Sequence, residues 1–219
     1  MKLGDAAEIW HSCEDVERSA RFYRALGLST SKRDGVLSIQ CGSLHLKLTV
    51  SDFPSPTLTY RTENVDRVAA RLTDLGVTVK EESGGALVYG PGSERILVAP
   101  MEEGDRISPL EPISSCLALP TAQIERSLVF WRMLGFLRIG GNIVRPVQWA
   151  TIYDGCLPII LATTLSVSRP ALWVSGPLTE RHKEDLKAAG FDADVHAASP
   201  QRATLFSPEQ LTLIYGQLL

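Results

Sequence analysis

The sequence predicts an α+β fold made of tandem βαβββ units, four copies in all, grouped as two domains. Three observations predict it: the two halves of the chain repeat each other, a finer strand-and-helix order repeats inside each half, and each helical stretch ends at a glycine. Internal similarity of this length implies one supersecondary unit used several times. At 219 residues the chain accommodates two domains, each large enough to bury a core. They are expected at 1–103 and 112–219, with 104–111 as the linker, because Pro100 to Pro112 is polar and broken by prolines.

The first half opens on an apolar strand ending near Ser12, then Val16 to Leu28 (VERSARFYRALGL), which returns as Ile124 to Phe136 (IERSLVFWRMLGF). Strands are expected at Val36 to Gln40 and Leu44 to Val50, where Leu37 to Leu48 matches Ala150 to Leu161. Pro56 to Tyr60, matched by Pro170 to Val174, starts the second unit. Its helix spans Val65 to Leu75, since Val65, Val68, Ala69, Leu72 and Leu75 make one apolar stripe at helical spacing. Asn64 and Thr179 stand where helix N-caps are expected, and Gly27 and Gly76 where a C-terminal residue must turn left-handed. Strands at Val77 to Lys80 and Ile96 to Ala99 complete the half, and the second half follows the same order. Whether the units pair within or between halves stays open.

Composition excludes several function classes. With 44% hydrophobic and 21% charged residues and a net charge of −3, there is no basic excess for a nucleic acid. No apolar run is long enough for a membrane span, and the start lacks a signal-peptide core, so a cytoplasmic protein is expected. Cys13, Cys41, Cys116 and Cys156 are scattered without a CxxC pair and read as free core thiols.

Asp15 to Gly27 (DVERSARFYRALG) and Gly90 to Val98 (GPGSERILV) resemble the helix and final strand of the glyoxalase, bleomycin-resistance and dihydroxybiphenyl-dioxygenase group, the vicinal oxygen chelate superfamily. The resemblance covers nearly the whole chain. It implies two domains, each with a curved U-shaped mixed sheet and outer helices, and a cavity on the concave face. It also implies, in metal-dependent members, ligands at positions held here by Glu8, Thr57 and Leu97, and in the second half by Cys116, Ala171 and Ile214. Hydrocarbon and hydroxyl side chains do not make a divalent site, so no metal or other cofactor is expected, a divalent metal being the alternative.

Strand alternation turns Glu8, Trp10 and Ser12 into the first cavity, with His45, Lys47 and Thr49 beside them and Thr57, Thr59, Arg61 and Leu97 from the second unit. Lys47 is expected to contact Glu8 where a metal ion would sit, satisfying the carboxylate. His11, His182 and His196 read as structural or exposed. In the second half Cys116, Ala118, Ile160, Ala171 and Trp173 would face inward, with Trp149, Thr151 and Tyr153 on a neighbouring strand of open facing. Small residues beside aromatics suit either a flat apolar ligand or plain core packing.

Two functions follow. One is a metal-independent binding protein of the bleomycin-resistance type, sequestering an aromatic or bulky metabolite between Trp10, Trp149, Trp173 and their neighbours. The other is a superfamily enzyme, a lyase, isomerase, cyclase or dioxygenase, with Glu8 as general base or residual metal ligand and Lys47, His45 or Arg61 polarising a carbonyl. The second domain could also be a structural copy that packs on the first. The expected partner is a small molecule, aromatic by the tryptophans, with the chain a monomer or homodimer.

Overall fold

The computed structural model describes residues 1–52, 56–92, 94–102, 113–144, 148–163, 168–192, 196–199 and 202–217. The linker expected at 104–111 lies outside the described residues. The first half runs β1 (Ala6–Ser12), α1 (Val16–Ala25), β2 (Ser29–Arg33), β3 (Val36–Cys41), β4 (Leu44–Thr49), β5 (Thr57–Thr62), α2 (Val65–Asp74), β6 (Lys80–Glu82), β7 (Gly85–Tyr89) and β8 (Arg95–Pro100). The second half repeats this as β9 (Ser115–Pro120), α3 (Ile124–Met133), β10 (Leu137–Asn142), β11 (Trp149–Tyr153), β12 (Pro158–Ala162), β13 (Ala171–Ser175), α4 (Glu180–Ala188), β14 (His196–Ser199), β15 (Arg202–Phe206) and β16 (Thr212–Gly216).

Each half forms one open eight-stranded mixed sheet, in the order β2-β3-β4-β1-β5-β8-β7-β6 and β10-β11-β12-β9-β13-β16-β15-β14. The units therefore pair within each half. β1 runs parallel to β4 and antiparallel to β5, and β9 stands in the same relation to β12 and β13. The parallel pairs are the ones that need a helical crossover, which α1 and α3 supply.

Helix boundaries follow local chemistry. The Asp15 carboxylate accepts from the backbone of Glu17 and Arg18, and Asn64 accepts from Arg67, each satisfying N–H groups with no partner inside the helix. Thr179 and His182 form a reciprocal capping box, so His182 has a structural role at the helix start. The glycines after the four helices (Gly27, Gly76, Gly135 and Gly190) all have positive φ, between 74° and 101°.

Val77 to Lys80, expected as a strand, begins instead with the helix closure: Val77 N–H donates to Leu72 O at 3.0 Å, and β6 starts only at Lys80. β2 and β7 lie in stretches without an expected strand. Leu37, Ile39, Leu44, Leu46 and Leu48 from β3 and β4 turn to the helix side, joining one contiguous core that includes Leu117, Ile159, Leu161 and Leu213 of the second half. The alternation of buried and part-exposed residues along β3 and β4 leaves the opposite face free for a site.

Candidate functional site

The concave face of the first unit holds a cavity of about 830 Å³ above β1, β2, β3 and β4. Of the expected site residues, Glu8, Trp10, His45 and Lys47 line it. Glu8 is fixed at its floor. Lys47 Nζ lies 2.5 Å from Glu8 Oε1, Trp10 Nε1 donates to Glu8 Oε2 at 3.0 Å, and Arg61 Nε approaches the same oxygen at 3.7 Å. The strand register produces this directly. Trp10 is opposite Lys47 across the β1–β4 pair, and Glu8 is opposite Thr59 and one step from Arg61 across the β1–β5 pair. The Lys47 ammonium also sits 5.2 Å from the centre of the Trp10 ring, close enough for attraction to the ring face.

The side chains of Glu8 and Lys47 are 11% and 20% exposed, so their attraction is only partly screened. Arg61, buried beside them, donates to Pro100 O at 3.2 Å and to Glu102 Oε1 at 2.7 Å, bringing a second carboxylate to the cavity wall. Each charge on this floor thus has an opposite neighbour.

The remaining expected residues stand apart from the cavity. Thr57 and Thr59 are buried in β5 beside Trp10 and Glu8, and Leu97 is half-buried on β8 opposite Thr59 and Leu87. Ser12 is half-buried at the end of β1. The cavity is instead completed by residues the site reading missed. Ser38 and Gln40 alternate with Leu37, Ile39 and Cys41 on β3, a signal available in the sequence, whereas Ser29, Ser31 and Arg33 belong to the unexpected β2.

The second concave face is different in kind. Cys116, Ala118, Ile160, Ala162, Ala171, Trp173 and Ile214 pack on one another as a separate buried cluster, with Trp149 partly buried against it. Trp173 is fully buried, its indole N–H bonded to Gly216 O at 3.3 Å and its ring 4.8 Å from the Arg202 guanidinium. It is packed on both sides by its neighbours in the cluster. Plain core packing, one of the two readings of these residues, describes that cluster.

No protein-family model and no curated protein matches this sequence. Solved structures do match over its full length. Homoprotocatechuate 2,3-dioxygenase from Brevibacterium fuscum (an E323L mutant) aligns with a TM-score of 0.67 at 12% identity, covering 99% of this chain and 72% of that one. A catechol 2,3-dioxygenase aligns at 0.63 and 10% identity, covering 100% and 94%. 2,2',3-Trihydroxybiphenyl 1,2-dioxygenase from Sphingomonas wittichii aligns at 0.60 and 12% identity, covering 99% and 90%. This chain has the fold of these dioxygenases, two tandem sheet-and-helix domains.

The vicinal oxygen chelate resemblance raises the question of a divalent ion at Glu8. The residues present do not fit one. Both Glu8 oxygens are engaged, the nearest cationic group is the Lys47 ammonium, and the two other positions at which the resemblance implies ligands carry Thr57 and Leu97. Among the described residues no group of three His, Cys, Asp or Glu could hold a metal ion. Nor is any described helix long and apolar enough to cross a membrane.

Proposed function

We propose that this chain is a vicinal oxygen chelate enzyme of the lyase or isomerase type, acting on a small organic molecule in the first-domain cavity with the Glu8–Lys47 pair in place of a divalent ion. The observation that carries this reading is the Lys47 ammonium 2.5 Å from the Glu8 carboxylate at the floor of an open cavity. A substrate oxygen that takes a hydrogen bond from Lys47 draws the ammonium away from Glu8. The freed carboxylate then accepts a proton from the carbon alpha to the carbonyl that bears that oxygen; the C–H electron pair forms a C=C bond, the C=O pair moves onto the oxygen, and Lys47 stabilises the charge that develops there. Return of the proton to a neighbouring atom is an isomerisation; loss of a leaving group is an elimination. Trp10, bonded to the other carboxylate oxygen, holds Glu8 in position through both steps. The fold shared with dioxygenases supports an enzyme, and the second domain acts as a packed structural copy.

The second reading is a binding protein of the bleomycin-resistance type that performs no chemistry. It is favoured by the internal pairing of every charge on the floor, which costs nothing to leave unreacted. Glu8→Gln and Lys47→Met, assayed with and without chelator, separate the two. The enzyme reading expects turnover to fall by about 10²-fold or more in Glu8→Gln while ligand affinity changes by less than about tenfold. Binding without turnover in the parent protein, lost in both variants, supports sequestration instead. Stoichiometric divalent metal in the purified protein that disappears in Glu8→Gln would overturn the metal-free site.

A further inference from the structure

We infer that the ligand of the first cavity is a neutral, polyhydroxylated molecule of sugar or cyclitol type, not a flat aromatic one. This rests on the cavity being the working site, as proposed above. Two cross-strand rows face it. Ser29 stands opposite Gln40, and Gln40 opposite His45; Ser31 stands opposite Ser38, and Ser38 opposite Lys47, which is opposite Trp10. Residues directly opposite on paired strands share a face, so the first row presents hydroxyl, amide and imidazole groups side by side and the second the Ser31 and Ser38 hydroxyls beside Lys47 and Trp10. The hydroxyl, amide and imidazole groups both donate and accept, as do the hydroxyls of a polyol. A flat apolar ligand would strip water from the hydroxyls of Ser29, Ser31 and Ser38 and return no hydrogen bond, at about 1–3 kcal/mol for each hydroxyl left unpaired.

The second domain supplies an internal control. Its corresponding row is Leu137, Tyr153 and Pro158, and its next is Gly140, Thr151, Ile160 and Ala118, with Ile139 at the sequence position of Ser31 but at a bulge where the register shifts. Leu137 and Ile139 are 69% and 53% exposed, so exposure on this edge strand does not require a polar residue. The serines of the first domain therefore answer a demand particular to its cavity. Charge points to neutrality. Lys47 is paired with Glu8 at 2.5 Å, Arg33 with Asp34 at 3.3 Å and Glu102 with Arg61 at 2.7 Å, which leaves the charged groups of the wall matched one to one. A charged ligand would add an unmatched charge to this balance, whereas a neutral one leaves the sum of charges on the wall unchanged.

The test is ligand-observed NMR on the full chain with a panel of neutral monosaccharides, their lactones and cyclitols, beside catechol and 1-naphthol as aromatic probes. The informative variant is Ser29→Leu with Ser31→Ile, which installs residues the same fold already carries in its second half; circular dichroism checks that it folds. Saturable binding of a polyol, weakened about tenfold or more in the variant, is the expected result, since two lost hydrogen bonds of about 1 kcal/mol each exceed the 1.4 kcal/mol of a tenfold change. Binding of the aromatic probes alone, strengthened in the variant, overturns the polyol assignment and leaves the cavity as the site. No polyol binding up to the solubility limit also overturns it. Binding of either class that is indifferent to this variant and to Trp10→Ala sinks the cavity reading itself.

Discussion

At the scale of single residues, Glu8 is a costly group to keep where it is. A carboxylate this little exposed needs compensation for lost hydration, and it draws that from Lys47, Trp10 and Arg61. Removing one partner should cost more than removing the pair. Lys47→Met is expected to destabilise the fold by about 1–3 kcal/mol, below the range for a fully buried pair because Arg61 remains and water still reaches the site. Glu8→Gln combined with Lys47→Met should recover most of that loss. Urea unfolding midpoints of the three variants check this, and a double variant as unstable as the single one would show that the pairing does not govern the site. The thiols behave in the opposite way, as inert filling. Burial pushes Cys41 up to about 12 and Cys156 up to about 11, and raises Cys13 and Cys116 as well. Thiolate is the reactive form. A disulfide reagent at neutral pH should therefore leave the native protein unlabelled and modify all four cysteines once denaturant is added; rapid labelling of the native state would contradict their burial.

At the scale of elements, the repeat is informative where its copies differ. α1 has Asp15 at its N-cap, and α3, which repeats its sequence, has Gln123 there with no side-chain cap bond. Gln123→Asp should stabilise the protein by about 0.5–1 kcal/mol through the missing cap and the favourable charge at the helix start. Thr179→Ala should cost about 0.5–2 kcal/mol by breaking the box with His182. Thermal unfolding of both variants tests the sign of each. Such local chemistry is also what made the elements legible: caps at Asn64 and Thr179, glycine ends, and leucines alternating with polar residues on β4. β2 escaped notice because Ser-Thr-Ser-Lys-Arg has no apolar face to alternate, and with it went the serines that line the cavity. Lys47 was legible because β4 alternates cleanly, and Glu8 because the family resemblance marks its position on β1. The choice between the two readings of Trp173 was not, since packing across an inner face depends on which side chains meet there, and periodicity gives only the face.

At the scale of the whole molecule, the two halves are joined by buried polar contacts as well as by the shared core. The Tyr23 hydroxyl of α1 donates to Glu209 between β15 and β16, and Ser19 donates to the same carboxylate at 2.9 Å. Phe22 meets Phe191 edge to face at 5.3 Å, and the Ser43 hydroxyl donates to Ser115 O at 2.9 Å. Tyr60 faces Asp154 of the second half. Burial first, and the neighbouring carboxylate second, raise both Tyr23 and Tyr60 well above the ordinary tyrosine value of 10.0, and burial raises Tyr215 too. The folded state therefore holds these phenols protonated at a pH where the unfolded chain releases them. Their contribution to stability is complete below pH 10 and is lost as pH rises from there toward the folded values. Alkaline titration should accordingly show the buried phenolates appearing together with the loss of circular dichroism, in one transition, because ionising Tyr23 beside Glu209 means separating the halves. Tyr23→Phe removes the hydroxyl but keeps the ring, so it should cost about 1.5–3 kcal/mol at neutral pH, the range for a hydrogen bond to a charged group, and flatten the alkaline slope. Phenolate absorbance that develops fully while the circular dichroism stays native would mean that water already reaches this seam and that the halves are not joined through it.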